Sequence, residues 1–147
     1  MVNRSPEAAP AAPTTEPSMV ELVTLLQRRL ARGLSAALAE EHTSLDQWRV
    51  MRAVADGRGH LMGELAGRLL IAHPTLTRIV DGLVDGSLLY RRQSTPDRRR
   101  VAVHLSRRGH ERLARLDALV AGYEGTLSAG ARNEELIGLL RELSDSS

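Results

Sequence analysis

The sequence predicts a mainly α-helical protein with about six helices and one small antiparallel sheet of two or three strands. Apolar residues recur every three or four positions through most of the chain, which is the period of an amphipathic helix. The exception is residues 89–105, where two alternating runs flank a polar turn, as in a hairpin. Two short helices joined by a tight link come directly before it. Residues 61–105 therefore have the element order of a winged helix-turn-helix.

The composition favours one domain of moderate size. With 147 residues, 42% of them hydrophobic, the chain can form a sizeable core. It contains no cysteine, which excludes disulfides and cysteine–metal sites. No apolar run is long enough to span a bilayer, and the N-terminus lacks the pattern of a signal peptide. We therefore expect a soluble cytoplasmic protein.

Charge is distributed unevenly along the chain. Residues 61–115 contain eleven arginines and five acidic residues, for a net charge of +6, whereas the rest of the chain has nine arginines and thirteen acidic residues. A basic segment within an otherwise acidic chain is typical of a protein that binds a polyanion.

The chain divides into a tail and one domain. Residues 1–17 contain four of the six prolines and no apolar period, so we predict a disordered tail. Residues 18–147 form the domain. Within it, residues 44–105 are the winged DNA-binding region, and residues 18–43 and 106–147 supply leucine-rich helices that need a partner surface, which we assign to dimerisation.

The first two helices are predicted from their N-terminal signals. Ser18 and Ser44 each precede a run of helical period, and Glu21 and Gln47 follow three residues later, as in a capping box. The first helix then extends to about Glu40.

The two helices of the motif are predicted at residues 63–70 and 74–85. Before them, residues 60–61 are compatible with a very short strand. The buried face of the first motif helix is predicted to be Leu65, Ala66, Leu69 and Leu70.

The second motif helix carries the candidate groove-reading residues. Pro74 suits its first turn, because a proline there leaves no hydrogen bond unmade. Thr75 and Arg78 face outward, with Thr77 on the flank. Hydroxyls donate and accept hydrogen bonds, and arginine can form a bidentate pair with guanine. We therefore assign contacts with DNA bases and phosphates to this turn, Pro74 included.

The turn of the hairpin carries three consecutive arginines, Arg98, Arg99 and Arg100. An exposed hairpin tip with several guanidinium groups suits a narrow minor groove. We expect Asp97 to orient Arg99 through an ion pair rather than to touch DNA. The alternative is a charge run that only faces solvent.

The order of these elements resembles that of the MarR family of bacterial transcriptional regulators. The resemblance covers roughly residues 19–143, outside the tail. It is carried by Gln47 and Trp48, the segments 64–66 and 75–80, Leu83, Gly86, the wing residues 97–99 and the segment 103–109.

The resemblance implies a homodimer in which the first and the last two helices of each subunit interlock. Such a dimer would bind a pseudo-palindromic operator in double-stranded DNA, with its recognition helices one helical turn, roughly 34–36 Å, apart. Members of the family usually repress genes, and many release DNA when a small aromatic acid binds between the dimer region and the winged region. For such an effector, Trp48 would form a wall and Arg28 or Arg52 the cation. The alternative for Trp48 is core packing.

Some specialised branches of the family fit less well. The oxidant-sensing members use cysteine, which is absent here. A zinc-sensing branch has a Glu-His pair in the early loop, which Glu41 and His42 match, and a His-x-x-x-His pair on the long helix, where His110 is followed by Ala114. We expect no metal and no cofactor. No catalytic constellation stands out, so we do not expect an enzyme.

The sequence thus predicts a sequence-specific, DNA-binding transcriptional regulator, a homodimeric repressor released by a small-molecule effector. Two alternatives stay open at this stage. One is a winged-helix module used for protein–protein contact, and the other is a non-specific architectural DNA binder.

Overall fold

The structure, a computed structural model, describes residues 16–93, 97, 99–127 and 132–146. Within these residues the chain forms six helices and three strands. They are α1 (Met19–Ala39), α2 (Leu45–Ala53), β1 (His60–Leu61), α3 (Met62–Leu69), α4 (His73–Asp85), β2 (Leu89–Gln93), β3 (Val101–Leu105), α5 (Arg107–Leu127) and α6 (Arg132–Asp145). The predicted fold class, mainly α with a small wing sheet, is confirmed. No helix in the described part of the chain is long and apolar enough to cross a membrane.

Two capping boxes fix the starts of α1 and α2. The Ser18 hydroxyl accepts a hydrogen bond from the backbone N–H of Glu21 at 3.2 Å, and the Glu21 carboxylate accepts one from the N–H of Ser18 at 2.7 Å. Ser44 and Gln47 make the same exchange at 3.1 and 2.9 Å. Each box satisfies two N–H groups that the helix itself leaves free, so both predicted starts are confirmed.

The sheet has the order β1-β3-β2, with both pairings antiparallel. In the hairpin, Leu89 pairs with Leu105 and Gln93 with Val101. On the other side of β3, His60 pairs with Val103. The very short strand at residues 60–61 is therefore real, and it makes the wing sheet three-stranded.

One aliphatic core joins the helices to the sheet. Leu38 is the buried residue of α1, and β3 contributes Val103 from the centre of the sheet. The large side chains that are fully buried are Leu38, Val50, Met51, Val54, Leu65, Leu76, Val80, Val103 and Leu116. They come from α1 to α5 and the sheet, so the winged region and the start of the long α5 share one core.

Leu70 corrects the predicted buried face of α3. The helix ends at Leu69, and Leu70 has a left-handed backbone with φ of 53° and is 91% exposed. The chain must reverse between α3 and α4, and this conformation turns the Leu70 side chain outward. Ile71 enters the core instead, and its N–H donates to the Ala66 carbonyl at 3.2 Å.

Apolar side chains remain exposed on α1 and α6. On α5, the apolar residues Leu113, Leu116 and Val120 are buried, but Leu127 at the end of the helix is exposed. The other exposed apolar residues of these regions are Met19, Val20, Leu22, Val23, Leu25 and Leu26 on α1 and Leu136, Ile137, Leu139, Leu140 and Leu143 on α6. Of the predicted tail at residues 1–17, residues 1–15 lie outside the described residues. The division into a winged region and dimerisation helices stays a prediction.

Candidate nucleic-acid interface

The first turns of α4 present polar side chains away from the core. Pro74 stands in the first turn, as the sequence predicts. Leu76 and Val80 are fully buried, so Arg78 between them points to solvent. The Thr77 hydroxyl donates to the His73 carbonyl at 3.0 Å and keeps its lone pairs free to accept.

Thr75 and Arg78 line a notch of about 290 Å³ beside the start of α2. Its other walls are Ser44, Gln47 and Ile79. Ser44 and Gln47 accept capping hydrogen bonds through their oxygens, so the hydroxyl hydrogen and the amide hydrogens stay available. Every polar side chain of the notch can therefore donate a hydrogen bond, and none of them carries a negative charge. This is the chemistry of an anion-binding surface.

The wing is the hairpin of β2 and β3. In its turn, Asp97 and Arg99 make a contact other than the predicted ion pair. The Asp97 carboxylate accepts a hydrogen bond from the backbone N–H of Arg99 at 3.0 Å, and the Asp97 carbonyl accepts one from the N–H of Arg100 at 3.1 Å. The predicted ion pair with the Arg99 guanidinium is not formed, because the short Asp side chain closes onto the backbone two residues ahead. Arg98 lies outside the described residues.

The arginines of the basic segment fall into two groups. Arg91, Arg107, Arg112 and Arg115 form ion pairs with carboxylates. In contrast, six arginines are exposed and have no carboxylate within 4.0 Å among the described residues. They are Arg78 on α4, Arg99 and Arg100 in the wing turn, and Arg68, Arg92 and Arg108. The uncompensated positive charge therefore includes the residues that the sequence assigned to a polyanion.

Hydrogen bonds join the start of α5 to the residues that directly follow α4. The Ser106 hydroxyl donates to the Ser87 carbonyl at 2.7 Å and accepts from the N–H of Gly109 at 2.9 Å. The Ser106 N–H donates to the Leu88 carbonyl at 3.0 Å. A Cβ on Gly109 would lie 2.1 Å from that carbonyl oxygen, so the approach requires glycine. A shift of α5 would therefore also move the residues at the end of α4.

A second link joins α2 to α5 through Asp117. The Trp48 indole N–H donates to its carboxylate at 2.9 Å, and Arg52 donates to the same oxygen at 3.3 Å. The Arg52 guanidinium also lies over the Trp48 ring, 5.4 Å from its centroid. Trp48 is half-buried and packs against the core, so core packing and a polar role occur together.

A cavity of about 300 Å³ opens beside Trp48 and Arg52. Its lining consists of Trp48, Arg49, Arg52, Ala53, Arg68 and Leu69. Arg28 lies elsewhere, beside a separate hollow on α1 with Val20 and Thr24. Within one chain, the structure thus brings together two of the three residues predicted for an effector pocket.

Glu41, in the loop after α1, pairs with α5. Its carboxylate accepts hydrogen bonds from Arg112 and, at 3.5 Å, from Arg115. The hydrogen bond from Arg112, together with the charge of Arg115, lowers the pKa of Glu41. The residue whose position suggested half of a zinc site is therefore engaged with arginines. No cluster of three histidine or acidic residues in the described part of the chain could hold a metal ion.

Sequence reasoning missed three links between distant segments. They are Asp117 with Trp48, Glu41 with Arg112, and Asp81 on α4 with Arg91 on β2. For the last pair the sequence held a signal, because the alternation that places Leu89 inward also places Arg91 on the inward side. For the other two, the partners are about 70 residues apart and no local pattern selects them.

Comparison with known proteins agrees with this geometry. The sequence model of the MarR family matches residues 43–100, from the start of α2 to the wing turn. The structure of the transcriptional repressor CouR bound to a 23-mer DNA duplex has a TM-score of 0.76 and 25% identity, over 87% of this chain and 91% of CouR. The winged region of this chain therefore belongs to the MarR family. Members of this family are transcriptional regulators and not enzymes.

Two curated relatives of this chain are named as transcriptional regulators. It is 28% identical over 110 residues to the HTH-type transcriptional repressor YetL of Bacillus subtilis, across 74% of this chain and 64% of YetL. It is 29% identical over 119 residues to a putative transcriptional regulatory protein for the hcr operon of Thauera aromatica, across 79% of this chain and 70% of that protein. Both alignments are longer than the winged region, so the likeness includes some of the flanking helices.

Proposed function

We propose that this protein is a homodimeric repressor that binds a pseudo-palindromic operator in double-stranded DNA through α4 and the wing. The observation that carries the proposal is the pattern of free arginines. Arg78, Arg99 and Arg100 are exposed without a carboxylate partner among the described residues, on the two elements that a winged helix directs to DNA. Phosphates are the partners that such guanidinium groups bind.

The proposed contacts follow from the side-chain chemistry. Thr75, Thr77 and Arg78 enter the major groove, where arginine pairs with guanine and the hydroxyls contact bases or phosphates, and Pro74 directs this turn. The notch beside α2 adds hydrogen-bond donors for a backbone phosphate. The wing arginines Arg98, Arg99 and Arg100 enter the minor groove, where a narrow groove attracts cations.

The proposed homodimer rests on the exposed apolar faces of α1 and α6. Contiguous exposed apolar side chains mark a surface that another protein can cover. A second copy would cover both faces and place two α4 helices on one side of DNA. A repressor role is supported by the named roles of YetL and CouR.

The proposed effector is a small aromatic acid bound in the cavity beside Trp48. The indole offers a flat apolar wall, and Arg52 and Arg68 offer cations for a carboxylate. Arg28 does not reach this cavity within the same chain. An effector weakens DNA binding only if it prefers a dimer geometry that misfits the operator, and the Asp117 link from Trp48 to α5 is a route for that change.

The DNA-binding proposal is tested by a gel shift of the full chain with the DNA upstream of its own gene. We expect retardation that survives competitor DNA. The double variant R99A/R100A should bind with a salt slope lower by about 2, one for each lost phosphate contact. Lack of sequence-preferring retardation at moderate salt would instead favour a protein–protein module.

A further inference from the structure

We infer that the Asp81–Arg91 ion pair positions the wing over α4, so that both elements meet DNA at a fixed angle. The Asp81 carboxylate accepts a hydrogen bond from the Arg91 guanidinium. The pair joins the middle of α4 to the middle of β2, two elements separated by the helix end and a turn. Its consequence for DNA rests on the proposed function, whereas its effect on the wing can be measured without DNA.

The register of the hairpin explains why Arg91 reaches α4. Residues that face each other across an antiparallel pair point to the same side of the sheet. Leu89 pairs with Leu105, and Arg91 pairs with Val103, and these two partners on β3 are buried. Arg91 therefore leaves β2 on the side that faces the helices, and its long side chain reaches the carboxylate on α4.

The pair acts where apolar packing of β2 ends. Leu89 is buried at the start of the strand, and the four residues after it are exposed. The outer part of β2 thus has no buried side chain to hold it against α4. The side chains of Arg91 and Asp81 are 36% and 52% exposed, so their contact lies at the margin between core and solvent. The Asp81–Arg91 ion pair therefore restrains the outer part of β2, which apolar packing does not hold.

Arg91 also protects the groove-reading arginine of α4. Asp81 follows Arg78 by three residues, a spacing that brings helical side chains together. With its carboxylate engaged by Arg91, Asp81 leaves the Arg78 guanidinium without an acidic partner. Loss of Arg91 would free Asp81 to pair with Arg78, and Asp81 would then compete with DNA for the Arg78 guanidinium.

The next residue offers a matched control. Arg92 lies on the same strand but pairs with Ala102, so it leaves the sheet on the opposite side. It is exposed, and no acidic partner lies within 4.0 Å of it in the described part of the chain. R91A and R92A therefore remove the same charge from adjacent positions, and only R91A removes the contact with α4.

The test is a distance measurement in the free protein. Because the chain has no cysteine, spin labels can be attached at two introduced cysteines, T75C on α4 and R99C on the wing. Labelled chains are mixed with excess unlabelled chains so that distances within one chain dominate. We expect one narrow distance distribution in the labelled parent and in R92A, and a broadened or displaced one in R91A and D81N. The reversed pair D81R/R91D should narrow it again. An R91A distribution that matches R92A would overturn the inference.

Binding to the upstream DNA tests the consequence. We expect R91A and D81N to bind about tenfold more weakly, the cost of one well-placed groove contact, and to lose hydroxyl-radical protection under the wing while protection under α4 remains. R92A should keep both protected regions. A parent protein that protects no DNA refutes the proposed function, whereas equal protection by R91A and R92A refutes the positioning role alone.

Discussion

At the scale of single residues, Leu70 shows how the backbone can override an apolar pattern. It continues the period of α3 and is therefore predicted inside, yet it is the residue that reverses the chain. A left-handed backbone costs a residue with a Cβ roughly 1–2 kcal/mol, which is why glycine is common where a helix ends. The link between α3 and α4 therefore stores strain at an exposed leucine.

Replacement of Leu70 by glycine should raise the free energy of unfolding by about 0.5–1 kcal/mol, because the strain removed exceeds the added freedom of the unfolded chain. Urea unfolding followed by circular dichroism measures the change.

The neighbouring leucine gives the control. L69A should cost about 2–5 kcal/mol because Leu69 is buried, whereas L70A should change stability by less than about 0.5 kcal/mol. Equal losses in L69A and L70A would show that Leu70 is packed after all.

Asp97 gives a second lesson at this scale. The sequence pattern placed an acidic residue beside arginines, and an ion pair was expected. In a tight turn the backbone N–H groups are nearer than a guanidinium, so the carboxylate of Asp97 accepts from the backbone of Arg99. The backbone geometry of the turn, which the sequence does not specify, decides whether Asp97 bonds the Arg99 backbone or its guanidinium.

At the scale of elements, the junction between the wing and α5 depends on Gly109. In G109A the new Cβ would meet the Leu88 carbonyl and the Leu105 side chain, and the backbone cannot withdraw without breaking the Ser106 hydrogen bond. We expect a loss of about 1–3 kcal/mol in the free energy of unfolding. Thermal unfolding measures it.

Gly67 in α3 is the matched control for that substitution. A Cβ there would meet nothing within 4 Å, and the residue is helical. G67A should therefore stabilise the protein by about 0.5–1 kcal/mol through helix propensity. If G109A is as harmless as G67A, the close approach of α5 to the end of α4 is not present in solution.

The link from Glu41 to α5 predicts a dependence of stability on pH. Arg112 lowers the pKa of Glu41 in the folded state below its ordinary value of 4.5, so the unfolded state binds the proton more readily. The stabilisation is then present above pH 4.5 and is lost as the pH falls through the lowered pKa. In E41Q the free energy of unfolding should fall less steeply as the pH drops below 4.5. Urea titrations at a series of pH values measure this free energy. The same pH dependence in E41Q and the wild type would mean that the ion pair does not persist in solution.

Most elements could be predicted from the sequence because helices and hairpins are encoded locally. The capping boxes at Ser18 and Ser44 fixed two helix starts, and the alternation after Leu89 fixed a strand. The boundary of α3 was missed by one residue, because the reversal at Leu70 depends on how α4 packs against the core. Contacts such as Trp48 with Asp117 join residues far apart in sequence, and no local pattern specifies them.

At the scale of the whole molecule, the apolar faces of α1 and α6 predict the oligomeric state. Leu139 is 57% exposed on α6. We expect the protein to sediment as a dimer at micromolar concentration, and L139R to shift it toward monomer, because burial of a charge in an apolar interface is costly.

The control for this experiment is V101R, which adds the same charge at an exposed apolar residue of β3. It should leave the dimer intact, because Val101 lies in the wing. Sedimentation velocity compares the three proteins. A wild-type chain that sediments as a monomer would refute the dimer, and dissociation of V101R as well as L139R would point to a different interface.

The candidate site was predictable in part. Thr75 and Arg78 could be placed outward, because the period of α4 fixes which side faces the core. The sequence could not show which of the predicted effector residues lie together. Arg28 and Arg52 look alike in sequence, and only the packing of α2 against α3 and α5 decides that Arg52 shares a cavity with Trp48.

The central claim, that α4 reads a DNA sequence, is tested most directly by the ratio of affinities for two duplexes. Fluorescence anisotropy at fixed salt compares the retarded upstream duplex with a scrambled duplex of the same length. The wild-type protein should prefer the upstream duplex, and R78A should lose about 1–3 kcal/mol of that preference. R141A on α6 removes the same charge away from α4 and should keep the preference. Equal ratios for R78A and the wild type, or no preference in the wild type, would contradict the account.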